Sequence, residues 1–423
     1  MKKITLLSRF IFIFCVISIF VSGSVWHPAS PLEQITIVTR MYEFDYIGWT
    51  ADALLQKLHT ASLGSVRHYS ESQKRAILRD YFQLLNEVNH FNQTIVTILG
   101  DPNEVSAEVE LSDLRRTLFE KEQSLKQKAI LSESIIQDYV GRALNELGLA
   151  AIRQPFPPVL YHVTDLPQNL ILSPRDVIKQ EKSVSLDADL PIFDIIQLED
   201  HVEDISEYSA LVVQVGGVST FPSMVISTTS LPYLLDTVAH EWIHHFLSLR
   251  PLGIYYSSSP QLRTMNETAA SIAGQEISNF IINEFFSDLV KPSEPYSTYE
   301  VSYWDSSISD IDEFNFRQEM YQTRLRVDEL LREEKIEEAE EYMEERRILL
   351  WENGYQIRKL NQAYFAFHGA YNDVPGGGAS GEDPVGPAVT AFRNQFSNLA
   401  DFIKRIAWVT SFEQLQKLLN RSI

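Results

Sequence analysis

The stretch that decides the fold is HEWIHHFL, residues 240–247, which places three histidines and one glutamate inside an apolar run. A protein interior seldom holds so many polar groups unless each of them has a partner. Apolar residues recur at helical spacing before and within the stretch, so we predict a buried central helix around it. Ser230 is the expected N-cap residue, with Pro232 in the first turn, and Pro251 stops the helix.

His240 and His244 are four residues apart, so their imidazoles project from one face of this helix, one turn apart. Two such nitrogens can chelate a small cation, and zinc is the expected ion because imidazole suits it. Glu241 is placed to take a proton from a water molecule that the metal activates. This is the His-Glu-x-x-His arrangement of zinc peptidases. Two buried structural histidines are the alternative interpretation.

A third ligand is expected from MNETAASIAGQEISNFIINEFF, residues 265–286, a second strongly helical stretch. Glu267 follows His244 by 23 positions, and a carboxylate there would complete a His-His-Glu site with an open fourth position. Small residues at positions 269, 270, 273 and 274 would let the two helices approach closely. Glu276 is the competing ligand.

Two further side chains beside the motif have alternative interpretations. Asp236, one turn before His240, could orient a ligand imidazole, or could serve as a capping or solvent-exposed residue. His245 points about 100° away from His244 around the helix. We therefore interpret His245 as a core or rim histidine and not as a ligand.

HEWIHH followed by NETAASIAGQE resembles the gluzincin metallopeptidases, in which a glutamate from an Asn-Glu-x-x-Ala helix joins His-Glu-x-x-His. More narrowly, the chain is similar to exported bacterial proteins assigned as aminopeptidases, over roughly residues 210–410. The resemblance implies that His240, His244 and Glu267 bind zinc and that Glu241 is the general base. Many gluzincins have an aspartate one turn after the ligand glutamate, where this sequence has Ser271.

The resemblance extends to NQAYFAFHGAYNDVP, residues 361–375, and to DPVGPAVTAFR, residues 383–393. Gluzincins use a tyrosine or a histidine to stabilise the oxyanion. Tyr371 is accordingly the expected second catalytic residue, and His368 is the next choice. Arg393 could bind a substrate carboxylate through two parallel hydrogen bonds, or could pack a helix.

Composition and periodicity divide the chain into four regions. Residues 1–23 carry three cations, an apolar run and small residues, which is typical of a signal peptide or a membrane anchor. Residues 24–155 are predicted to be helical, and two long amphipathic stretches within them predict a packed helical hairpin. Residues 156–305 hold the predicted sheet and metal helices, and residues 306–423 are predicted to be helical again. The predicted fold is α+β, with a zincin-like core flanked by helical segments.

Three stretches before the metal helix are rich in β-branched and aromatic residues and predict strands of one small sheet. These are residues 158–164, 209–219 and 223–228. A strand before a metal helix could form an edge that pairs with an extended peptide, and a purely structural strand is the alternative.

The net charge of −21 argues against nucleic acid as a partner, because phosphate contacts need a basic surface. It also argues against charge-driven binding to an anionic membrane, so we expect a membrane contact only through the N-terminal segment.

The only cysteine, Cys15, lies in the N-terminal segment, and a cleaved chain would have no thiol chemistry. We expect an exported, extracytoplasmic protein, secreted or anchored. Glycosylation motifs occur at Asn92, Asn266 and Asn420, and a glycan at Asn266 would fit poorly beside a metal ligand.

These features predict zinc-dependent hydrolysis of a peptide or protein substrate, with aminopeptidase action implied by the resemblance alone. Two alternatives stay open. One is a zinc amidohydrolase that acts on a non-peptide or cell-wall substrate. The other is a non-catalytic helical binding or scaffold protein.

Overall fold

The structure is a computed structural model, and it describes residues 30–62, 66–100, 108–150, 153–287, 314, 316–368 and 384–420. Residues 1–23 and Tyr371, for which the sequence predicts a targeting segment and a catalytic tyrosine, lie outside these ranges. None of the helices within them combines the length and apolar character needed to cross a bilayer. The fold is mixed α+β and mostly helical, which confirms the predicted class.

Helices account for most of the described chain. Their bounds are α1 (Pro31–Thr39), α2 (Tyr46–Ser62), α3 (Glu71–Gly100), α4 (Glu108–Glu146), α5 (Ile192–Asp204), α6 (Leu231–Ser248), α7 (Pro251–Ile254), α8 (Pro260–Phe285), α9 (Phe316–Arg332), α10 (Ile336–Glu352), α11 (Gln362–His368), α12 (Val385–Arg393), α13 (Leu399–Ile406) and α14 (Phe412–Leu419). Helices α3 and α4 pack against each other, which confirms the predicted helical hairpin.

The strands form two small sheets. Their bounds are β1 (Tyr161–Val163), β2 (Gln168–Pro174), β3 (Lys182–Leu186), β4 (Tyr208–Val213), β5 (Gly217–Val218) and β6 (Ser223–Val225). One sheet is antiparallel in the order β3-β2-β4, and the other has the order β1-β6-β5, with β1 parallel and β5 antiparallel to β6.

The prediction of a single sheet is wrong because the stretch 209–219 does not form one strand. It contributes β4 to one sheet and β5 to the other, and the glycine pair 216–217 lies at the start of β5. Glycine breaks strand continuity readily because it has no side chain to pack. Strand β5 consequently lies at the edge of the sheet that adjoins α6.

The largest apolar core surrounds α6 and α8. It includes Tyr139 from α4, Trp242 from α6 and Phe402 from α13, all almost fully buried. This core crosses the region boundaries predicted at 155 and 305, which rest on composition and not on packing. Helix α6 is therefore packed against other elements on several sides.

Local sequence signals account for the start of both central helices. The Ser230 hydroxyl accepts a hydrogen bond from the Tyr233 backbone N–H at 3.3 Å, which confirms the predicted N-cap of α6. Ser259 caps α8 in the same way through Leu262, and Pro260 occupies the first turn. Such caps satisfy backbone donors that have no partner inside the helix.

The two central helices lie unusually close where the sequence has small residues. A Cβ atom at Gly274 of α8 would lie 2.4 Å from Asp236 Oδ1 and 3.0 Å from the Asp236 carbonyl oxygen of α6. Only a hydrogen fits at that position. This close approach brings the N-terminal half of α8 to the histidine face of α6.

Candidate metal centre

Three side chains from the two central helices converge on one point. His240 Nε2 lies 3.0 Å from His244 Nε2, and Glu267 Oε2 lies 3.5 Å from the former and 3.3 Å from the latter. One donor atom from each residue lies within 4.8 Å of the others. Two imidazole nitrogens and one carboxylate oxygen are the donor set of a catalytic zinc site. Within the described ranges, no other cluster of His, Cys, Asp and Glu side chains is this compact.

Hydrogen bonds behind the site fix the orientation of His244. Its Nδ1 lies 2.7 Å from the side-chain oxygen of Asn266, whose amide nitrogen donates to the Leu252 carbonyl at 3.3 Å. Since the amide oxygen can only accept, Nδ1 carries a proton, and Nε2 is the nitrogen that would lose its proton to bind a metal. Asn266 is only 2% exposed, so the glycosylation motif that begins there is buried in the folded protein.

Ser271 occupies the position behind His240. Its hydroxyl lies 3.5 Å from His240 Nδ1, and Ser271 follows Glu267 by one turn of α8. Asp236, the other candidate for this role, has its Oδ1 against the backbone of Gly274. Burial raises the pKa of Asp236 to about 6, and the charge of His240 opposes that rise.

Tyr256 is a site residue that sequence reasoning missed. Its hydroxyl donates a hydrogen bond to Glu267 Oε1 at 2.5 Å, and its ring lies edge-on to His244 at 6.4 Å between centroids. The other carboxylate oxygen, Oε2, is left facing the two histidines. The available signal was the position of Tyr256 in the short loop between the two ligand-bearing helices.

Glu241 lies beside the cluster, between α6 and the edge strand β5. It is 5% exposed, and a Cβ atom at Gly217 of β5 would lie 2.4 Å from its Oε1. Burial raises the pKa of Glu241, and the neighbouring charge of Glu267 adds to the rise, while His240 and His244 oppose it. A carboxylate whose pKa is raised is a stronger base than an ordinary glutamate.

The charges of the cluster are strongly coupled. Burial alone would raise the pKa of Glu267, but the charges and hydrogen bonds of His244 and His240 hold it well below its usual range. Burial alone would lower the pKa of His244, but Glu267 overcomes this and raises it to about 9. The carboxylate therefore needs a cationic partner, and a bound metal ion would meet the same need.

Three other candidates lie away from this point. His245 Nε2 donates to the Thr220 carbonyl at 2.7 Å, and burial lowers its pKa. Glu276 accepts two hydrogen bonds from Arg393 at 2.7 and 2.8 Å, which joins α8 to α12. The Arg393 guanidinium is thus engaged in helix packing, and Glu276 is engaged with it.

The two oxyanion candidates are not brought to the cluster by the described contacts. Tyr371 lies outside the described residues. His368 ends α11 with its ring 4.3 Å from that of Tyr364, and burial lowers its pKa to about 4.

In comparisons with known proteins, the chain matches no family model, no curated protein and no solved structure. The geometry of the cluster is therefore the main support for a function.

Proposed function

We propose that the protein is a zinc-dependent peptidase with a zincin-like core, acting on a peptide or protein substrate. The observation that carries this proposal is the convergence of His240, His244 and Glu267 within 4.8 Å, with Glu241 next to the first ligand. A structural zinc site has no need of such a base, so Glu241 weighs against the scaffold alternative.

The three proposed ligand side chains fit zinc in donor type, and a bound metal ion would displace the proton from His244 Nε2. Both imidazoles direct Nε2 at the common point, and the tautomer of His244 is set by Asn266. When bound there, zinc would supply a Lewis acid and lower the pKa of water towards ~7. With only three protein ligands, zinc bound there would still be able to take up water or substrate.

Glu241 is the proposed general base. Its carboxylate takes a proton from the attacking water and passes it to the amine that leaves when the peptide bond breaks. Burial raises the pKa of Glu241, which favours acceptance of the proton from water. The carboxylate is restored at the end of the cycle.

The position of strand β5 favours an extended peptide over a small, compact molecule as the substrate. Within the described strands, β5 pairs only with β6, so no strand occupies its other edge there, where an extended chain could pair. Main-chain pairing with Gly217–Val218 would bring a peptide carbonyl next to Glu241, because Gly217 contacts that carboxylate. This placement makes the amidohydrolase alternative the weaker one.

The test is a comparison of the full chain with Glu241→Gln, by metal analysis and by mass spectrometry of a mixed peptide library. We expect about one zinc per chain in both proteins and cleavage only by the parent. The matched control is Glu284→Gln, an exposed glutamate on α8, which should keep both zinc and activity. A metal-free parent would contradict the zinc assignment, and equal cleavage by Glu241→Gln would contradict the mechanism.

A further inference from the structure

A cavity lies on the side of α6 opposite His240 and His244. Phe246 lines it and follows His244 by two positions, which is about 200° around a helix. The cavity has a volume of about 430 Å³ and is lined by Leu149, Ala150, Phe156, Phe246, Arg250, Lys404 and Trp408. None of these residues is acidic.

We propose that this cavity binds a carboxylate attached to an apolar body, the combination presented by an N-acylated amino acid or by the C-terminal residue of a peptide. Its volume lies at the lower end of the range for small-molecule pockets. The site is independent of the metal centre, and the proposal does not depend on the peptidase function.

Arg250 supplies the first cation. Its guanidinium carbon lies 3.4 Å from the centre of the Phe246 ring, and Nη1 donates to the Phe246 carbonyl. No carboxylate of the described residues forms an ion pair with it, and burial lowers its pKa. A guanidinium taken partly out of water without a counter-ion is costly, and an incoming carboxylate would offset that cost.

Lys404 supplies the second cation, from α13. Its ammonium donates to the Gly148 carbonyl at 2.8 Å, and it too has no carboxylate partner among the described residues. Two cations without acidic partners therefore face one cavity. Such an arrangement attracts an anion and disfavours a neutral analogue of the same shape.

Two aromatic side chains in the cavity wall would contact the apolar part of the ligand. Phe156 is 64% exposed and Trp408 is 63% exposed. Large rings left in water are typical of binding surfaces, because covering them removes apolar area from solvent. A phenyl or branched aliphatic group between them would do so while its carboxylate reaches Arg250 and Lys404.

The test is isothermal titration calorimetry of the full chain with N-acetyl-phenylalanine and with its amide, after removal of metal by EDTA. Metal removal prevents the probe from binding through a zinc ion. We expect the acid to bind at least about tenfold more tightly than the amide, since only the acid forms charge-assisted hydrogen bonds. 3-Phenylpropionate carries the carboxylate and the ring but lacks the peptide-like amide. Its affinity shows whether the site recognises carboxylates in general or also needs the amide group.

Lys404→Gln is the decisive variant because Lys404 is exposed and its loss should leave the fold intact. It should weaken binding of the acid about fivefold or more. Arg405→Gln, the same charge change one residue further along α13, should leave it unchanged. Equal binding of acid and amide, no heat at about 10 mM ligand, or an unchanged affinity in Lys404→Gln would overturn the proposal.

Discussion

At the scale of single residues, the candidate site consists of side chains that particular hydrogen-bond partners hold in place. Helical periodicity was sufficient to predict that His240 and His244 share one face of a helix, because residues four apart lie on the same face. Glu241 follows directly after His240, and its place beside that face could be predicted in the same way. Asn266 and Tyr256 were not foreseen as partners. Their roles depend on where a loop and a second helix place their polar atoms, and no spacing rule encodes that placement.

Tyr256→Phe should weaken zinc binding about tenfold, in the range found when groups that orient metal ligands are removed. The hydroxyl holds Glu267 Oε1, and without it the carboxylate can rotate away from the histidines. Competition with a chromophoric zinc chelator measures the effect. Tyr255→Phe, in the same loop but half-exposed, should bind zinc like the parent. Equal affinities for the two variants would show that Tyr256 does not position the ligand.

At the scale of elements, the central feature is the contact between α6 and α8. The run of small residues on α8 allowed a prediction that these helices approach closely. The division of the stretch 209–219 between two sheets was not foreseen, because strand pairing is a long-range property. Strand β4 pairs with β2 from Asn169 opposite Val213 to Pro174 opposite Tyr208, and local composition does not report such partners.

Gly274→Ala should destabilise the protein by about 1–3 kcal/mol, the usual cost of forcing extra volume into a packed interior. The new methyl group would meet the Asp236 carbonyl oxygen, which belongs to the α6 backbone and cannot move freely. Gly141→Ala on α4 is the matched control, since its nearest contact would be an ordinary 3.7 Å. That change should stabilise the protein by about 0.5–1 kcal/mol. Urea unfolding measures both, and equal shifts in the two variants would contradict the close approach.

At the scale of the whole molecule, the predicted class was right and the region boundaries do not coincide with the core. Composition changes at the prolines near residue 155, yet apolar side chains from both sides of that point share one core. Boundaries inferred from composition mark changes of secondary structure, whereas a core is defined by which faces meet.

Glu133 on α4 is a buried group that joins the chain before residue 155 to the chain after it. It accepts hydrogen bonds from the Val163 backbone N–H at 2.8 Å, from His162 and from Lys57. Burial would raise the pKa of Glu133, but Lys57 and His162 hold it below its usual value. Its contribution to stability is therefore present above the unfolded-state pKa and is lost as the pH falls through the lower folded-state pKa.

Glu133→Gln should accordingly cost about 3 kcal/mol at neutral pH, because it leaves the mostly buried ammonium of Lys57 without its counter-charge. The difference from the parent should shrink in strongly acidic solution, where the parent carboxyl is also protonated. Denaturant unfolding at both pH values measures this, with the exposed Glu146→Gln on the same helix as the control. A difference that does not change with pH would contradict the ion-pair account.

The buried amide of Asn266 also bears on how the protein can be produced. Eukaryotic secretory hosts attach glycans to Asn-x-Thr motifs on the growing chain, before burial can protect them. A sugar on Asn266 could not enter the interior, and α8 would be unable to dock with the histidine face of α6. Bacterial expression avoids this outcome. In a glycosylating host, replacing Thr268 would remove the recognition motif and keep the amide that orients His244.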